Sequence, residues 1–133
     1  MSNANITLVQ SLYSAFGRGD IATIVGASAP DIAWHVHGRP TDHPCLGEFK
    51  SPQGVQKFFG LIADTQTPTD FAPREFDAAG DKVFVRGHYA WTMRKTGKSV
   101  DTDWIHIFTI KDGKVTKFDE FTDTAQFAEA LRG

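Results

Sequence analysis

Apolar residues in the first half of the chain recur every three or four positions, which is the period of an α-helix. This spacing predicts an amphipathic helix over residues 5–17 and a second short helix that is capped by Asp20. A third helix is expected to begin at Ser51, as its N-cap, because Pro52 suits the first helical position. The third helix has the clearest apolar stripe, formed by Val55, Phe58, Phe59 and Ile62.

The other segments alternate between apolar and polar residues, which is the period of a half-buried strand. A strand is predicted over residues 32–37, followed by a loop rich in Gly, Pro and His from Gly38 to Lys50. After Asp70, strands are predicted over residues 71–77, 83–91, 104–110 and 115–122, and a short C-terminal helix capped by Asp123 ends the chain. We therefore expect one α+β domain over residues 1–133, in which a cone-shaped, curved antiparallel sheet wraps around the N-terminal and middle helices. The open end of such a cone is a pocket.

The turn near Thr96-Gly97 decides which side chains face that pocket. A two-residue loop would collect most aromatic residues of both strands on one face, which we take as the concave one. That face would hold Val85, Gly87, Tyr89, Trp91, Trp104, His106 and Phe108. A three-residue loop would instead turn Phe84, Arg86 and His88 inward. We favour the first register because it leaves Arg86 and His88 in polar or inter-subunit positions.

The next turn, at Lys111-Asp112-Gly113-Lys114, leaves two registers open. A three-residue loop over residues 111–113 places Glu120 opposite Trp104 and Phe118 opposite His106. A two-residue loop would turn Asp119 and Phe121 inward instead. We assume the three-residue loop, which puts His106 and Glu120 in the pocket.

Composition narrows the function classes. A net charge of -2 does not indicate the basic surface that binding to nucleic acid or to an anionic membrane requires. A single cysteine, Cys45, excludes an internal disulfide, and no window has the roughly 18 consecutive apolar residues that a membrane span needs. We therefore expect a cytoplasmic domain with no nucleic-acid or membrane partner. Its 11 Phe, 3 Trp, 2 Tyr and 5 His exceed what a minimal core requires.

Three stretches of the chain resemble a known family. The first is Leu12-Tyr13-Ser14-Ala15-Phe16 leading to Gly19-Asp20, and the second is Asp31-Ile32-Ala33-Trp34 followed by Gly47 and the Phe58-Phe59 helix. The third runs from Trp104-Ile105-His106-Ile107-Phe108 through Asp112-Gly113-Lys114-Val115 to Phe118-Asp119-Glu120-Phe121-Thr122-Asp123. Together they resemble the SnoaL-like polyketide cyclases, whose fold is shared by ketosteroid isomerase, limonene epoxide hydrolase and nuclear transport factor 2. Because that fold hosts enzymes and binding domains, the resemblance is informative about fold and poor about reaction.

The resemblance also bears on His106 and Glu120. His106 matches the position where ketosteroid isomerase has the protonated Asp of its oxyanion hole, and Glu120 resembles a catalytic carboxylate of the hydrolase. The isomerase base, however, falls on Val36 and its phenolic donor on Leu12. Steroid isomerisation by that mechanism is therefore not expected. The hydrolase pattern also fails in part, because its Arg and Asp positions fall on Gly87 and Tyr89.

We predict that His106 and Glu120 are the catalytic pair, because an imidazole and a carboxyl group in an apolar pocket can exchange a proton near neutral pH. The expected substrate-binding residues are Tyr13, Trp34, Val36, Phe58, Ile62, Tyr89, Trp91, Trp104, Phe108 and Phe118. The predicted function is cofactor-independent acid/base chemistry on a hydrophobic, oxygenated small molecule. The alternative is a ligand-binding or assembly domain that uses the same pocket without turnover.

Three further expectations concern partners and metals. We expect a homodimer, as the resemblance implies, through the convex sheet face that carries Arg86 and His88. His35, His37 and His43 suggest a metal site, because a strand would place His35 and His37 on one face. No Asp, Glu or Cys lies at a typical zinc spacing, however, so no metal is predicted. Cys45 has no adjacent base and is expected to be a small buried or loop residue.

Overall fold

Four helices and six strands make up the part of the chain that the computed structural model describes, residues 3–132. The helices are α1 (Ala4–Gly17), α2 (Ile21–Gly26), α3 (Ser51–Thr65) and α4 (Thr124–Leu131). The strands are β1 (Ser28–Val36), β2 (Gly47–Lys50), β3 (Gln66–Ala79), β4 (Lys82–Met93), β5 (Ser99–Lys111) and β6 (Lys114–Thr122). The predicted helices and strands are all present, and β2 is an additional strand inside the segment predicted as a loop.

Two of the three predicted helix caps are confirmed. Asp20 accepts a hydrogen bond from the Thr23 amide, and Asp123 accepts one from the Gln126 amide. The prediction for Ser51 is wrong, because Ser51 is already the first residue of α3 and the helix has no side-chain cap. With a φ of 69°, Ser51 has a left-handed backbone conformation at the point where the chain turns from β2 into the helix.

The six strands form one sheet in the order β2-β1-β6-β5-β4-β3. All neighbours are antiparallel except β1 and β6, which run parallel, so the sheet is mixed rather than purely antiparallel. The edge strand β3 is bulged next to Pro68 and Pro73, and such bulges bend a strand and increase its twist. The α+β class, with a curved sheet around α1 and α3 and a short final helix, is confirmed.

The β4–β5 hairpin has a longer loop than predicted. The Met93 amide donates to the Lys98 carbonyl, which leaves residues 94–97 as a four-residue loop instead of the two-residue loop expected at Thr96-Gly97. The pairing is shifted by two positions, and Trp91 lies opposite Val100. Because side chains alternate with a period of two, this shift keeps the predicted side chains on the concave face.

The β5–β6 hairpin differs in its loop but not in its inward face. Lys111 pairs with Lys114, so the loop has two residues, and the three-residue loop is wrong. Thr116 is then an extra residue between the Ile110–Val115 and Thr109–Lys117 pairs, a bulge that shifts the register by one. As a result Glu120 faces inward directly opposite His106. Phe118 pairs with Phe108 rather than with His106, and Trp104 lies opposite Thr122 rather than Glu120.

A glycine allows close packing at the centre of the sheet. Gly87 lies opposite Trp104, and a Cβ atom at Gly87 would lie 2.3 Å from Cζ2 of the Trp104 indole and 2.7 Å from the Ala72 carbonyl oxygen. The indole therefore covers the glycine and stacks on the His106 imidazole, with 3.9 Å between ring centroids. Gly87 thus determines where Trp104 lies, and Trp104 supports His106.

None of the helices within residues 3–132 is long and apolar enough to cross a membrane.

Candidate functional site

An apolar cavity of about 80 Å³ lies between the concave face of the sheet and the helices α1 and α3. Its half-buried lining residues come from α1, α3 and β3 and form its mouth; they are Tyr13, Phe16, Phe59, Ile62 and Phe71. Apolar cavities that bind benzene have volumes of about 150 Å³. A ligand with even one aromatic ring therefore requires the side chains at the mouth to move outward.

The predicted site residues lie in one region. His106 and Glu120 line the cavity, together with Tyr13, Trp34, Val36, Phe58, Ile62, Tyr89, Trp91, Phe108 and Phe118. Trp104 is the exception: it was expected in the cavity wall but is stacked behind His106, with 1% of its surface exposed. Leu12 and Val36, the positions where the isomerase groups fall, are apolar lining residues that cannot exchange a proton.

A chain of hydrogen bonds crosses the cavity wall from α1 to β6. The Tyr13 hydroxyl lies 2.7 Å from Nδ1 of His106, and Nε2 of His106 lies 2.9 Å from Oε1 of Glu120. The Tyr89 hydroxyl donates to the other carboxylate oxygen, Oε2 of Glu120, at 3.0 Å. It also lies 2.8 Å from the Thr122 hydroxyl. His106 and Glu120 are 4% and 9% exposed, so water competes little for these bonds.

For an ionised Glu120 and a neutral His106, the donors and acceptors of this hydrogen-bond network follow directly. An ionised carboxylate only accepts, so with a neutral imidazole His106 donates from Nε2 to Glu120 and accepts at Nδ1 from the Tyr13 hydroxyl. The single Tyr89 proton is given to Glu120, so the Thr122 hydroxyl donates to the Tyr89 oxygen. Burial, and then the charge of Glu120, raise the pKa of Tyr13 and of Tyr89 well above 10, so both phenols stay protonated.

The network can accept and return a proton without rearranging its heavy atoms. Each oxygen of Glu120 accepts one of the hydrogen bonds described and keeps a lone pair that can reach the cavity it lines. The Tyr13 oxygen also keeps lone pairs. A proton that it accepts there can pass through His106 to Glu120, each group giving its own proton to the next. The arrangement therefore suits general acid/base chemistry on a ligand in the cavity.

Several lining residues were not predicted, among them Phe16, Phe59 and Phe71. The polar ones come from the segment between β1 and β2 and from the start of β3. His43, Cys45 and Gln66 all line the cavity, and each is less than 5% exposed. The apolar pattern of the sequence could not show that these three side chains face the cavity, because an irregular loop has no periodicity that assigns a residue to one face. The run His43-Pro44-Cys45-Leu46 was the available signal, since an apolar loop is seldom left exposed.

Cys45 should be unreactive in the folded protein. Burial raises the pKa of its thiol to about 12, so at pH 8 only about one molecule in ten thousand carries the reactive thiolate. We expect an aromatic disulfide reagent to label native protein at pH 8 at least a hundredfold more slowly than urea-unfolded protein. Labelling of the native protein at the unfolded rate would contradict this placement of Cys45.

A second cluster of polar residues lies on the opposite face of the sheet. His35, His37 and Asp119 offer three possible ligand atoms within 4.8 Å of one another, because the parallel pairing of β1 and β6 brings Asp119 beside His35. Asp119 was not predicted as a third group. However, the two imidazoles stack with 3.8 Å between ring centroids and 29° between ring planes, so directing their in-plane lone pairs at one ion would require a ring to rotate. His37 is instead hydrogen-bonded to Asp119 at 2.7 Å, and His43 lies elsewhere, in the cavity wall.

The chain is similar in sequence and in fold to several known proteins. Residues 9–118 match the family model described as a SnoaL-like domain. An uncharacterized protein of Mycobacterium tuberculosis is 27% identical over 119 residues, which cover 90% of this chain and 88% of that protein. The crystal structure of a nuclear transport factor 2-like protein from Burkholderia thailandensis is 29% identical and covers 100% of both chains, with a TM-score of 0.88. TerC, crystallized with polyporic acid, is 26% identical, with a TM-score of 0.84, and the match covers 98% of this chain and 100% of TerC.

Proposed function

The chain belongs to the SnoaL-like domain family, and from that premise we propose that it is a cofactor-independent enzyme that moves a proton on a hydrophobic, oxygenated small molecule. The observation that carries the proposal is the buried Glu120 carboxylate, which lines the cavity and is held by His106 on one oxygen and Tyr89 on the other. A positioned carboxylate in an apolar cavity is suited to remove a proton beside a carbonyl group and to return it elsewhere.

Three groups have distinct roles in this proposal. Glu120 takes the proton from the substrate, because it is the ionisable group with free lone pairs in the cavity wall. His106 orients Glu120 through the Nε2 hydrogen bond and passes protons to and from Tyr13. The Tyr13 hydroxyl, which is buried beside His106, accepts a hydrogen bond from a substrate hydroxyl. Isomerisation and ring closure both need such a proton transfer.

The lining supports a neutral, largely apolar substrate. Among the described residues that line the cavity none is Lys or Arg, so nothing there would neutralise a phosphate group. The wall is instead mainly aromatic and aliphatic, and Trp34 stacks on Phe118 at 3.9 Å between ring centroids. The presence of polyporic acid in crystals of the relative TerC makes that compound a reasonable first probe for this chain.

A screen of aromatic ketones, phenols and polyporic acid by thermal shift tests the proposal. We expect at least one compound to raise the melting temperature and to be converted, with conversion lost in His106→Ala and Glu120→Gln while binding remains. The alternative is a binding domain, and it is favoured by the fact that both His106 nitrogens and both Glu120 oxygens already have protein partners. Binding without conversion by the wild-type protein would support that alternative and reject the enzyme.

We further propose that the protein forms a homodimer through the outer face of the sheet. Phe84, Ile105 and Phe121 are 36%, 37% and 44% exposed on that face, and Ile105 pairs with Phe121. The same face carries both signs of charge, since Arg86 lies 3.4 Å from Glu75, and the His88 ring lies 2.6 Å from Asp101 and 2.8 Å from Asp103. A two-fold interface needs such a self-complementary surface.

Sedimentation at micromolar concentration should therefore detect a dimer. Phe121→Glu should shift the protein to monomer, because it would bury a charge in an apolar contact. Gln56→Glu adds the same charge at an exposed position of α3 and should leave the dimer intact. A wild-type monomer at this concentration would reject the proposed interface.

A further inference from the structure

Four cavity-lining side chains carry buried polar atoms without a hydrogen-bond partner among residues 3–132. These atoms are Nε1 of Trp34, Nε2 of His43, Oε1 of Gln66 and Nε1 of Trp91. A buried polar atom without a partner costs about 1–3 kcal/mol, so several of them around one cavity require an explanation. None of the four belongs to the hydrogen-bond chain from Tyr13 to Thr122.

His43 and Gln66 are a matched donor and acceptor. The Cys45 amide donates to Nδ1 of His43 at 3.0 Å, which makes Nδ1 the acceptor nitrogen and leaves the proton of the neutral ring on Nε2. That N–H is buried, as is the Gln66 carbonyl oxygen. The two side chains are neighbours, but neither atom makes a hydrogen bond of normal geometry within residues 3–132. A group that accepts from one and donates to the other would satisfy both.

This pair is uncharged. Burial lowers the pKa of His43, and hydrogen bonding with the Gln66 side chain opposes this only in part, so the imidazole is neutral at pH 7. The titratable groups that share the cavity wall with it are Cys45, whose thiol is protonated, the phenols of Tyr13 and Tyr89, and His106 and Glu120 of the other cluster. A neutral donor beside a neutral acceptor suits a hydroxyl group better than a carboxylate or a phosphate.

We propose that His43 and Gln66 bind a hydroxyl group of the ligand, which accepts a hydrogen bond from Nε2 of His43 and donates one to Oε1 of Gln66. This inference rests on the proposed function, because it requires a small molecule in the cavity. It also specifies the substrate class, which is an apolar ring system with one oxygen toward Glu120 and a separate hydroxyl group toward His43. Ligands with a single oxygen satisfy only one of these two polar clusters.

Three naphthalene derivatives test the hydroxyl group directly. They are 2-naphthol, 6-methoxy-2-naphthol, whose second oxygen can only accept, and 2,6-dihydroxynaphthalene, whose second oxygen both accepts and donates. In the wild-type protein we expect calorimetry to show that the dihydroxy compound binds about fivefold more tightly than either of the others, the effect of one or two neutral hydrogen bonds.

The variant Gln66→Met removes the acceptor and nearly conserves volume. We expect it to abolish the fivefold preference for the dihydroxy compound and to leave the melting temperature unchanged or higher, because an unpaired buried oxygen is lost. A purely structural Gln66 would instead lower the melting temperature and leave the preference intact. Ile62→Val, a change elsewhere in the lining, should alter the affinity for all three compounds by the same factor.

The outcomes separate this inference from the proposed function. Equal binding of the three compounds, or a preference that persists in Gln66→Met, overturns the hydroxyl site and leaves the proposed function standing. Failure of all three to bind the wild-type protein overturns the hydroxyl site, and failure of the wider screen as well rejects a small-molecule function. A preference lost only in Gln66→Met supports the hydroxyl site.

Discussion

Gly87→Ala is expected to destabilise the protein by about 3 kcal/mol, because the new methyl group would overlap both a fully buried indole and a neighbouring strand. Its Cβ atom would lie 2.3 Å and 2.6 Å from two ring carbons of Trp104 and 2.7 Å from the Ala72 carbonyl oxygen. Trp104 is 1% exposed and stacks on His106, so it cannot move without displacing the proposed site. Urea unfolding measures the free energy change, and near-ultraviolet circular dichroism reports the tryptophan packing.

A matched control makes this result specific. Gly60→Ala introduces the same methyl group in α3, where nothing lies within 4 Å, and should stabilise the helix by about 0.5–1 kcal/mol. Adding Trp104→Phe to Gly87→Ala removes the overlapping indole atoms, so the double variant should be more stable than the sum of the single changes predicts. Full additivity would show that the indole does not cause the loss of stability.

Glu120→Gln is expected to lower turnover by about a hundredfold or more and to reverse the hydrogen bonds of His106. The amide can still accept from Tyr89 through its oxygen, but its NH₂ group then faces Nε2 of His106 and must donate to it. The imidazole proton therefore moves to Nδ1, where it donates to the Tyr13 oxygen. Because the two bonds of His106 are kept with their directions reversed and the Tyr89 bond is unchanged, the fold should be nearly as stable as that of the wild-type protein.

Nitrogen-15 NMR of the imidazole distinguishes the two tautomers. At pH 8 the protonated ring nitrogen should be Nε2 in the wild-type protein and Nδ1 in Glu120→Gln. The buried His43 serves as an internal control, because the Cys45 amide should keep its proton on Nε2 in both proteins. A wild-type His106 with its proton on Nδ1 would contradict the assignment of Glu120 as an ionised acceptor.

The faces of the strands could be predicted from the sequence, although their exact pairings could not. The loop over residues 94–97 is two residues longer than expected, and an even error leaves every side chain on its predicted face. In the next hairpin the predicted loop length was wrong by one residue, and the bulge at Thr116 restored the inward direction of Glu120. The apolar pattern does not reveal a bulge, so the inward direction of Glu120 did not follow from the sequence alone.

Features outside periodic segments were not predictable from the pattern. The strand β2 has only four residues, too few for alternation to show. His43 and Gln66 enter the cavity from a loop and from the first residue of β3, where no period indicates direction. Trp104 was placed on the correct face, but the stacking that hides it behind His106 depends on contacts across β4 and β5.

The four-residue hairpin between β4 and β5 also bears on evolutionary change in length. A change in length that shifted the pairing of β4 and β5 by two residues would keep Tyr89 and Trp91 in the cavity, whereas a shift by one would turn one of the two strands over. An odd change must therefore be absorbed within the loop itself or by a bulge such as the one at Thr116. Odd differences in loop length across an alignment would thus mark the places to look for rebuilt turns or bulges.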